Sequence, residues 1–528
     1  MANEKELLSI QEASEWATEF LGRNVSTSNI SYLIQYGRIK KYGDNSSTQI
    51  AKADLLNYYK SHIGKREKEW KKELGEDLNW ALSFDNLTEK ERTKHVHRLH
   101  PYKGKFIPQL VEYFLDRHTD NFKKEVYFKA GDIVLDPFCG SGTTLVQSNE
   151  LGIHALGIDI SAFNAMISNV KIGRHNLFKL QDEIRRITIA LKEFVSGEKH
   201  IEFESELVLA LSDFNNTYFP SPEFKYRVRQ GKINEMKFGK DKERVFQTTF
   251  DELAKKYEIT IEQDHSETFL DKWYTTPVRD EIEFVFNLIH NISDQDTKKT
   301  LAVILSRTMR SCRATSHADL ATLVDPVFST YYCRKHGKIC KPLFSILGWW
   351  ERYSKDTMKR LADFNKIRST TFQYCFTGDS RIFNLFPELG QRDKTFCDYV
   401  QKKKISGIFS SPPYVGLIDY HEQHAYAYDL FGFDRRDEQE IGPLYKGQGR
   451  EARESYIVGI SDVLINCKQF LCDDYNIFLV ANDKFGIYPQ IVERASMEIV
   501  NVFKRPVLHR TEKNKAPYSE TIFHIKAR

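Results

Sequence analysis

Ile133-Val-Leu-Asp-Pro-Phe-Cys-Gly-Ser-Gly-Thr-Thr144, followed by His154-Ala-Leu-Gly-Ile-Asp159, is the stretch that decides the fold. A short apolar run, Ile133-Val-Leu135, closes on an acid and a glycine bend, and a helical pattern follows through Leu151. The second apolar run also ends in an acid. Strand, glycine turn, helix, strand and acid make a βαβ unit with a right-handed crossover, so an α/β fold with a doubly wound parallel sheet is predicted. Further strands are predicted at Thr371–Thr377, Lys404–Phe409 and Tyr475–Val480, with a final hairpin from about 500–504 and 521–525.

The rest of the chain is read outward from that unit. With 528 residues, 41% of them hydrophobic and 28% charged, the composition is globular and excludes wholesale disorder. The 77 Lys and Arg nearly balance the 73 Asp and Glu, so net charge does not single out a polyanion ligand. The start, Met-Ala-Asn-Glu-Lys-Glu, is polar, and no long uninterrupted apolar window occurs, so no secretory signal, no membrane association and a cytoplasmic location are expected.

Residues 1–62 read as a separate module. Ser9 and Glu12 form a capping box before Ala13, Trp16 and Ala17; a second helix starts at Ser26 or Ser28 and runs to Gly37; a third lies around Ala53–Tyr59. The pattern resembles the winged helix-turn-helix of excisionase-like and MerR-like domains, which implies DNA binding; a protein-docking module is the alternative. Residues 63–94 read as a charged connector. The catalytic domain is expected in two parts, 95–180 and 371–528, around a helical insert at 181–370. Within the insert, Lys225, Arg227, Arg229, Lys232, Lys237, Lys240, Lys242 and Arg244 interleave with aromatics from Pro222 onward, which suits phosphate contacts and target recognition. Arg307, Arg310 and Arg313 recur at helical spacing, able to face a phosphate or a carboxylate.

The loop at 136–144 lacks Gly-Lys-Ser/Thr, and Asp136 stands where a pyrophosphate would be repelled, so it is not a phosphate loop. An acid there suits a cation such as an amino-acid ammonium. Asp159 lies 159 − 136 = 23 residues on, at the next strand end, where a carboxylate accepts ribose hydroxyls. A nucleoside joined to an amino acid fits both acids, and S-adenosylmethionine is such a molecule. The second signal is Ser410-Ser-Pro-Pro-Tyr414. Two prolines make a rigid turn after a strand whose carbonyls are free to accept hydrogen bonds, and Tyr414 adds a ring for stacking.

Asp-Pro-Phe-Cys-Gly-Ser-Gly-Thr-Thr (136–144) together with Ser-Pro-Pro-Tyr (411–414) resembles the DNA amino-methyltransferases, specifically the N4-cytosine branch, over roughly 95–175 and 371–528. His97-Arg-Leu-His-Pro-Tyr-Lys-Gly-Lys-Phe-Ile-Pro-Gln-Leu-Val111 is similar to the family segment that precedes the cofactor strand, and Gly378-Asp379-Ser380 to the acid at the third strand. The resemblance implies a Rossmann-like methyltransferase sheet. It implies S-adenosylmethionine held by Lys105, Phe106, Asp136, Phe138, Gly140, Gly142, Thr143, Asp159, Ile160 and Asp379. Ser411, Pro412, Pro413 and Tyr414 are then the catalytic turn acting on the amino group of a flipped cytosine in DNA. It further implies the modification half of a restriction-modification or related defence system, with a separate cognate endonuclease as partner. An adenine-N6 enzyme, an RNA amino-methyltransferase, and a DNA-binding regulator with an inactive fold are the alternatives; intact Asp136, Asp159 and Ser411 speak against the last. Recognition sequence and oligomeric state are not legible.

Asp419-Tyr420 is a pocket candidate by position, whereas His421 and His424 are assigned no role. The eight cysteines form no disulfide framework. Cys333-Arg-Lys-His336-Gly-Lys-Ile-Cys340, with Cys312 upstream, lacks paired Cys-x-x-Cys spacing, so packed or free thiols are expected and no metal.

Overall fold

The structure, a computed structural model, describes residues 6–22, 24–43, 47–62, 72–74, 78–84, 87–102, 104–263, 267–317, 319, 323–419, 421–507 and 518–528. Residues 63–71, 75–77 and 85–86 of the expected connector at 63–94, and Tyr420, lie outside them. The chain forms two compact units, one of residues 1–73, 190–284 and 311–347 and the other of 74–189, 285–310 and 348–528.

The second unit is built on a seven-stranded sheet. Its strands are β1 (Ile133–Asp136), β2 (His154–Asp159), β3 (Gln373–Thr377), β4 (Ile405–Ser410), β5 (Leu471–Ala481), β6 (Met497–Pro506) and β7 (Ser519–Ala527). They lie in the order β6-β7-β5-β4-β1-β2-β3. The five from β5 to β3 are mutually parallel, and β7 is antiparallel to both β5 and β6. Every strand expected from the sequence is present, and the architecture fits a Rossmann-like methyltransferase sheet. The central strands are buried on both faces, as helix-covered parallel sheets require: Ile133, Leu135, Leu156, Ile158, Ile408 and Ile477 join one core cluster, while Val134, Phe409, Phe478 and Phe114 join another. Chain order reverses between β1 and β4, which pair in register Val134↔Gly407 and Leu135↔Ile408. Such a switch point opens a crevice at the carboxyl ends of the strands.

Gly407 makes the β4 and β5 contact possible. A Cβ there would stand 1.9 Å from the Asn476 carbonyl oxygen in the next strand. Gly407→Ala must push two central strands apart; it is expected to cost about 3 kcal/mol, at the upper end of overpacking penalties, read as a fall of several degrees in thermal midpoint.

The expected division at 181 and 370 is not the one observed, because 285–310 and 348–370 belong to the sheet unit. Arg307 is buried, donates to Asp356 Oδ2 at 2.7 Å, and lies over the Tyr353 ring. Its partner is thus a carboxylate, not a phosphate. Arg368 donates to the carbonyls of Ile172 and Gly173 at 2.7 and 2.6 Å.

The first unit joins the N-terminal module to 190–284 and 311–347. The helices of the N-terminal module are Ile10–Leu21, Thr27–Gln35 and Lys52–His62, and Leu7–Ser9 pairs antiparallel with Gln49–Ala51. The Ser9/Glu12 capping box forms, and Ser26 caps the second helix. Arg229 donates to the Tyr36 carbonyl at 2.5 Å, so the end of that second helix is covered by the insert helix Glu223–Arg229. Several of the interleaved bases are engaged internally: Lys225 with Glu235, Lys240 with Glu243, and Lys242 over the Tyr218 ring. Among the described residues no helix is long and apolar enough to cross a membrane.

Candidate active site

The glycine bend leaves β1 at Asp136. Gly140 and Gly142 adopt φ of +52° and +75°, the left-handed region that glycine tolerates best, and Gly142 caps the helix Thr143–Glu150. A Cβ at Gly142 would sit 2.9 Å from Ser168 Oγ, so this glycine lets the bend pack against the helix Ala162–Ile172 that follows β2. Fully buried Lys171 donates to the Ser141 carbonyl at 2.5 Å and supports the bend from below.

Because β1 and β4 are parallel neighbours, their carboxyl-terminal loops emerge side by side. One cavity is walled by both. Of the site residues expected from the sequence, Lys105, Phe106, Asp136, Phe138, Gly140, Thr143, Asp159, Ile160, Asp379, Ser411 and Pro413 line it. Gly142, Pro412 and Tyr414 do not. Pro412 is buried behind the turn, and Tyr414 is half-buried with its hydroxyl 3.1 Å from Glu520 Oε1. Asp419 is likewise outside the walls, accepting from the Tyr445 N–H at 3.3 Å.

The two loops are also tied directly. Ser410, the last residue of β4, donates to Asp136 Oδ1 at 2.5 Å, and Phe138 N–H reaches the same oxygen at 3.2 Å. Asp159 accepts from Gly140 N–H at 2.7 Å, Ser161 N–H at 2.9 Å and Asn164 Nδ2 at 3.1 Å. Both carboxyls are almost wholly buried, and that burial, outweighing these donors, pushes each up to about 6. Burial brings Lys105 down to about 8, and its ammonium donates to the His97 carbonyl at 2.7 Å. Among the described residues no hydrogen bond engages the Ser411 hydroxyl.

Several residues in the wall, and one that holds a wall residue from behind, escaped the sequence reading. Arg381 grips Asp379 with its Nε and NH2 at 2.6–3.0 Å, holding that carboxyl below its usual range despite burial. Tyr102, Asn164, Gln439, Glu440 and Ile441 also line the cavity, and Glu440 is paired with buried His421. The histidine left without a role therefore holds a wall in place. No local motif signals Glu440 or Asn164; only the fold brings them to the bend.

Comparison with known proteins agrees with this geometry. A family model described as a DNA methylase matches residues 27–170. The chain is 45% identical over 527 residues, 99% of its own length and 97% of the relative, to the type II methyltransferase M.MjaII of Methanocaldococcus jannaschii. It is 34% identical over 117 residues, 22% of the chain and 24% of the relative, to the type II methyltransferase M.MvaI of Kocuria varians. It is 36% identical over 127 residues, 24% of the chain and 35% of the relative, to a tRNA (guanine(10)-N2)-dimethyltransferase of M. jannaschii. No solved structure gives a significant match. Similarity spanning nearly the whole of M.MjaII, together with the matched family model, establishes that this chain belongs to the DNA amino-methyltransferase family.

Proposed function

We propose that this chain transfers a methyl group from S-adenosylmethionine to the exocyclic N4 of a cytosine turned out of duplex DNA. In this reading it is the modification enzyme of a type II restriction-modification system and is partnered by a separate cognate endonuclease. One observation carries the reading: Asp136, Asp159, Ser411 and Pro413 wall a single cavity. S-adenosylmethionine is the donor the family implies, and when bound it supplies an electrophilic methyl on a sulfonium. The residues present fit it. Asp136 is a buried carboxyl whose partners among the described residues are the Ser410 and Thr144 hydroxyls and the Phe138 N–H, which suits it to an ammonium. Asp159 keeps acceptor capacity after its three protein donors, since an ionised carboxylate offers about four lone-pair sites.

The amine of cytosine is a poor nucleophile while its lone pair is conjugated with the ring. The Ser411 hydroxyl and the Pro412 carbonyl accept its two N–H groups, drawing them out of plane and favouring a tetrahedral nitrogen in the transition state. Pro412 and Pro413 hold these acceptors still, so the contribution is geometric and needs no covalent enzyme intermediate. Tyr414, tethered to Glu520, offers its ring to the displaced base. Serine at position 411 favours cytosine over adenine. The N-terminal module and the bases Arg227, Lys232, Lys237 and Arg244 add affinity for the DNA backbone.

The partial likeness to a tRNA methyltransferase makes RNA a second reading worth testing. Incubation with labelled S-adenosylmethionine and either duplex DNA or RNA, followed by nucleoside analysis, separates the possibilities. N4-methylcytosine in DNA is expected; N6-methyladenine, label in RNA alone, or no transfer would each overturn a named part of the proposal.

A further inference from the structure

The first unit contains a cluster that methyl transfer does not use. Residues Tyr331–Cys333 and Lys338–Cys340 form a two-stranded antiparallel hairpin. The ligand-capable atoms of His317, Cys333, His336 and Cys340 all lie within 4.8 Å of one another. The geometry points to a tetrahedral zinc site formed by these four side chains, stapling the hairpin inside the first unit.

The donor set and its supports match what zinc demands. Two thiols and two imidazoles make a Cys₂His₂ set, closed and without an open position, as in structural rather than catalytic sites. Cys333-Arg-Lys-His336 has the two-residue gap of a metal knuckle, with histidine in place of the second cysteine. The turn is shaped for it: Gly337 takes φ +65°, and its N–H donates to the Cys333 carbonyl at 2.7 Å. The ligand-capable atoms of His336, Cys340 and His317 gather around the Cys333 sulfur, each within 4.8 Å of it. Cys340 Sγ stands 3.5 Å from His336 Nδ1. Zinc bonds of about 2.3 Å to sulfur and 2.0–2.1 Å to nitrogen set a tetrahedral S···N edge of about 3.5 Å. The Tyr331 hydroxyl engages His317 Nδ1 at 2.6 Å, fixing the ring and leaving Nε2 for a metal, the outer-shell arrangement typical of ligating histidines.

Cysteine oxidation is a weaker explanation of the same cluster. Cys333 is paired across the hairpin with Lys338 and Cys340 with Tyr331, so the two cysteines are not opposite each other, and a disulfide would leave both histidines unexplained. The hairpin also needs a clamp. Its strands are three residues each, too short to persist alone. Yet Tyr332 and Ile339 belong to the core of this unit with Phe203, Phe246 and Phe344, and Tyr332 N–H and OH reach Glu243 and Glu235 at 2.7 and 2.9 Å.

Metal content of the full chain, purified and dialysed against metal-free buffer, tests the proposal. About one zinc per chain is expected, and replacement by cobalt(II) should give the visible absorption and thiolate charge-transfer bands of a tetrahedral S₂N₂ site. Cys333→Ser and Cys340→Ser should each lower bound zinc at least tenfold, whereas Cys312→Ser should retain it. A full chain holding no zinc and giving no cobalt spectrum would overturn the assignment, as would zinc retained undiminished in both variants, or a Cys333–Cys340 disulfide in protein kept under reductant. The first two measurements need no variant to fold.

Discussion

Ser411→Ala is expected to lower kcat by about 10²-fold while leaving the affinity for S-adenosylmethionine within about twofold of wild type. The hydroxyl is engaged by nothing among the described residues, so its removal breaks no structural contact. It lines the cavity on the β4 side, whereas the acids proposed to hold the cofactor stand on β1 and β2. An acceptor that acts only as the amine pyramidalises contributes to the transition state and not to cofactor binding. Single-turnover methyl transfer and equilibrium cofactor titration measure the two separately. Equal losses in both would remove the catalytic role proposed for Ser411.

Asp136→Asn carries the second large effect, and its sign depends on pH. Burial raises this carboxyl from 3.8 to about 6, so above pH 6 the folded protein holds a carboxylate that is better tolerated in the unfolded chain. A shift of this size corresponds to about 3 kcal/mol. Since the native state binds the proton more tightly, the contribution to stability is fully present below about pH 4 and is lost as pH rises through 6. The bound ammonium reverses the balance, because it needs the ionised form. Affinity for S-adenosylmethionine is therefore expected to fall by up to tenfold per pH unit below about 6 in the wild type. In Asp136→Asn the affinity should be about 10- to 100-fold weaker at pH 7.5 and should fall less steeply below pH 6 than in the wild type, because only Asp159, also raised to about 6, still titrates in the site. The same variant should unfold at a higher temperature than wild type at pH 7.5 without ligand. Thermal melts with and without cofactor at pH 5 and 7.5 supply all four comparisons. A pH-independent wild-type affinity would refute the role given to Asp136.

Ser410 links these two predictions. Its hydroxyl joins the catalytic corner to the cofactor acid at 2.5 Å, so the geometry of one loop reports on the charge of the other. The sequence reading treated Ser410 only as part of the turn. Nothing in Ser-Ser-Pro-Pro indicates which hydroxyl faces back into the sheet.

What the sequence by itself determined is local in origin. Short apolar runs that end in an acid marked β1 and β2, one that ends in the double-proline turn marked β4, and side-chain caps at Ser9 and Ser26 marked helix starts, because each feature depends on residues within one turn of the chain. Tertiary structure decided which of these features meet. Asp136 and Ser411 share a wall because β4 lies beside β1 across a gap of 411 − 136 = 275 residues. Asp379 is already gripped by Arg381, Glu440 enters the wall on the arm of His421, and Arg307 turns inward to Asp356. His317 reaches the Cys333 hairpin from 333 − 317 = 16 residues upstream, adding a ligand-capable group to a segment whose spacing alone gave packed or free thiols and no metal. Local hydrogen bonding is written in neighbouring residues, whereas the partners of a buried charge depend on which strands and helices pack around it.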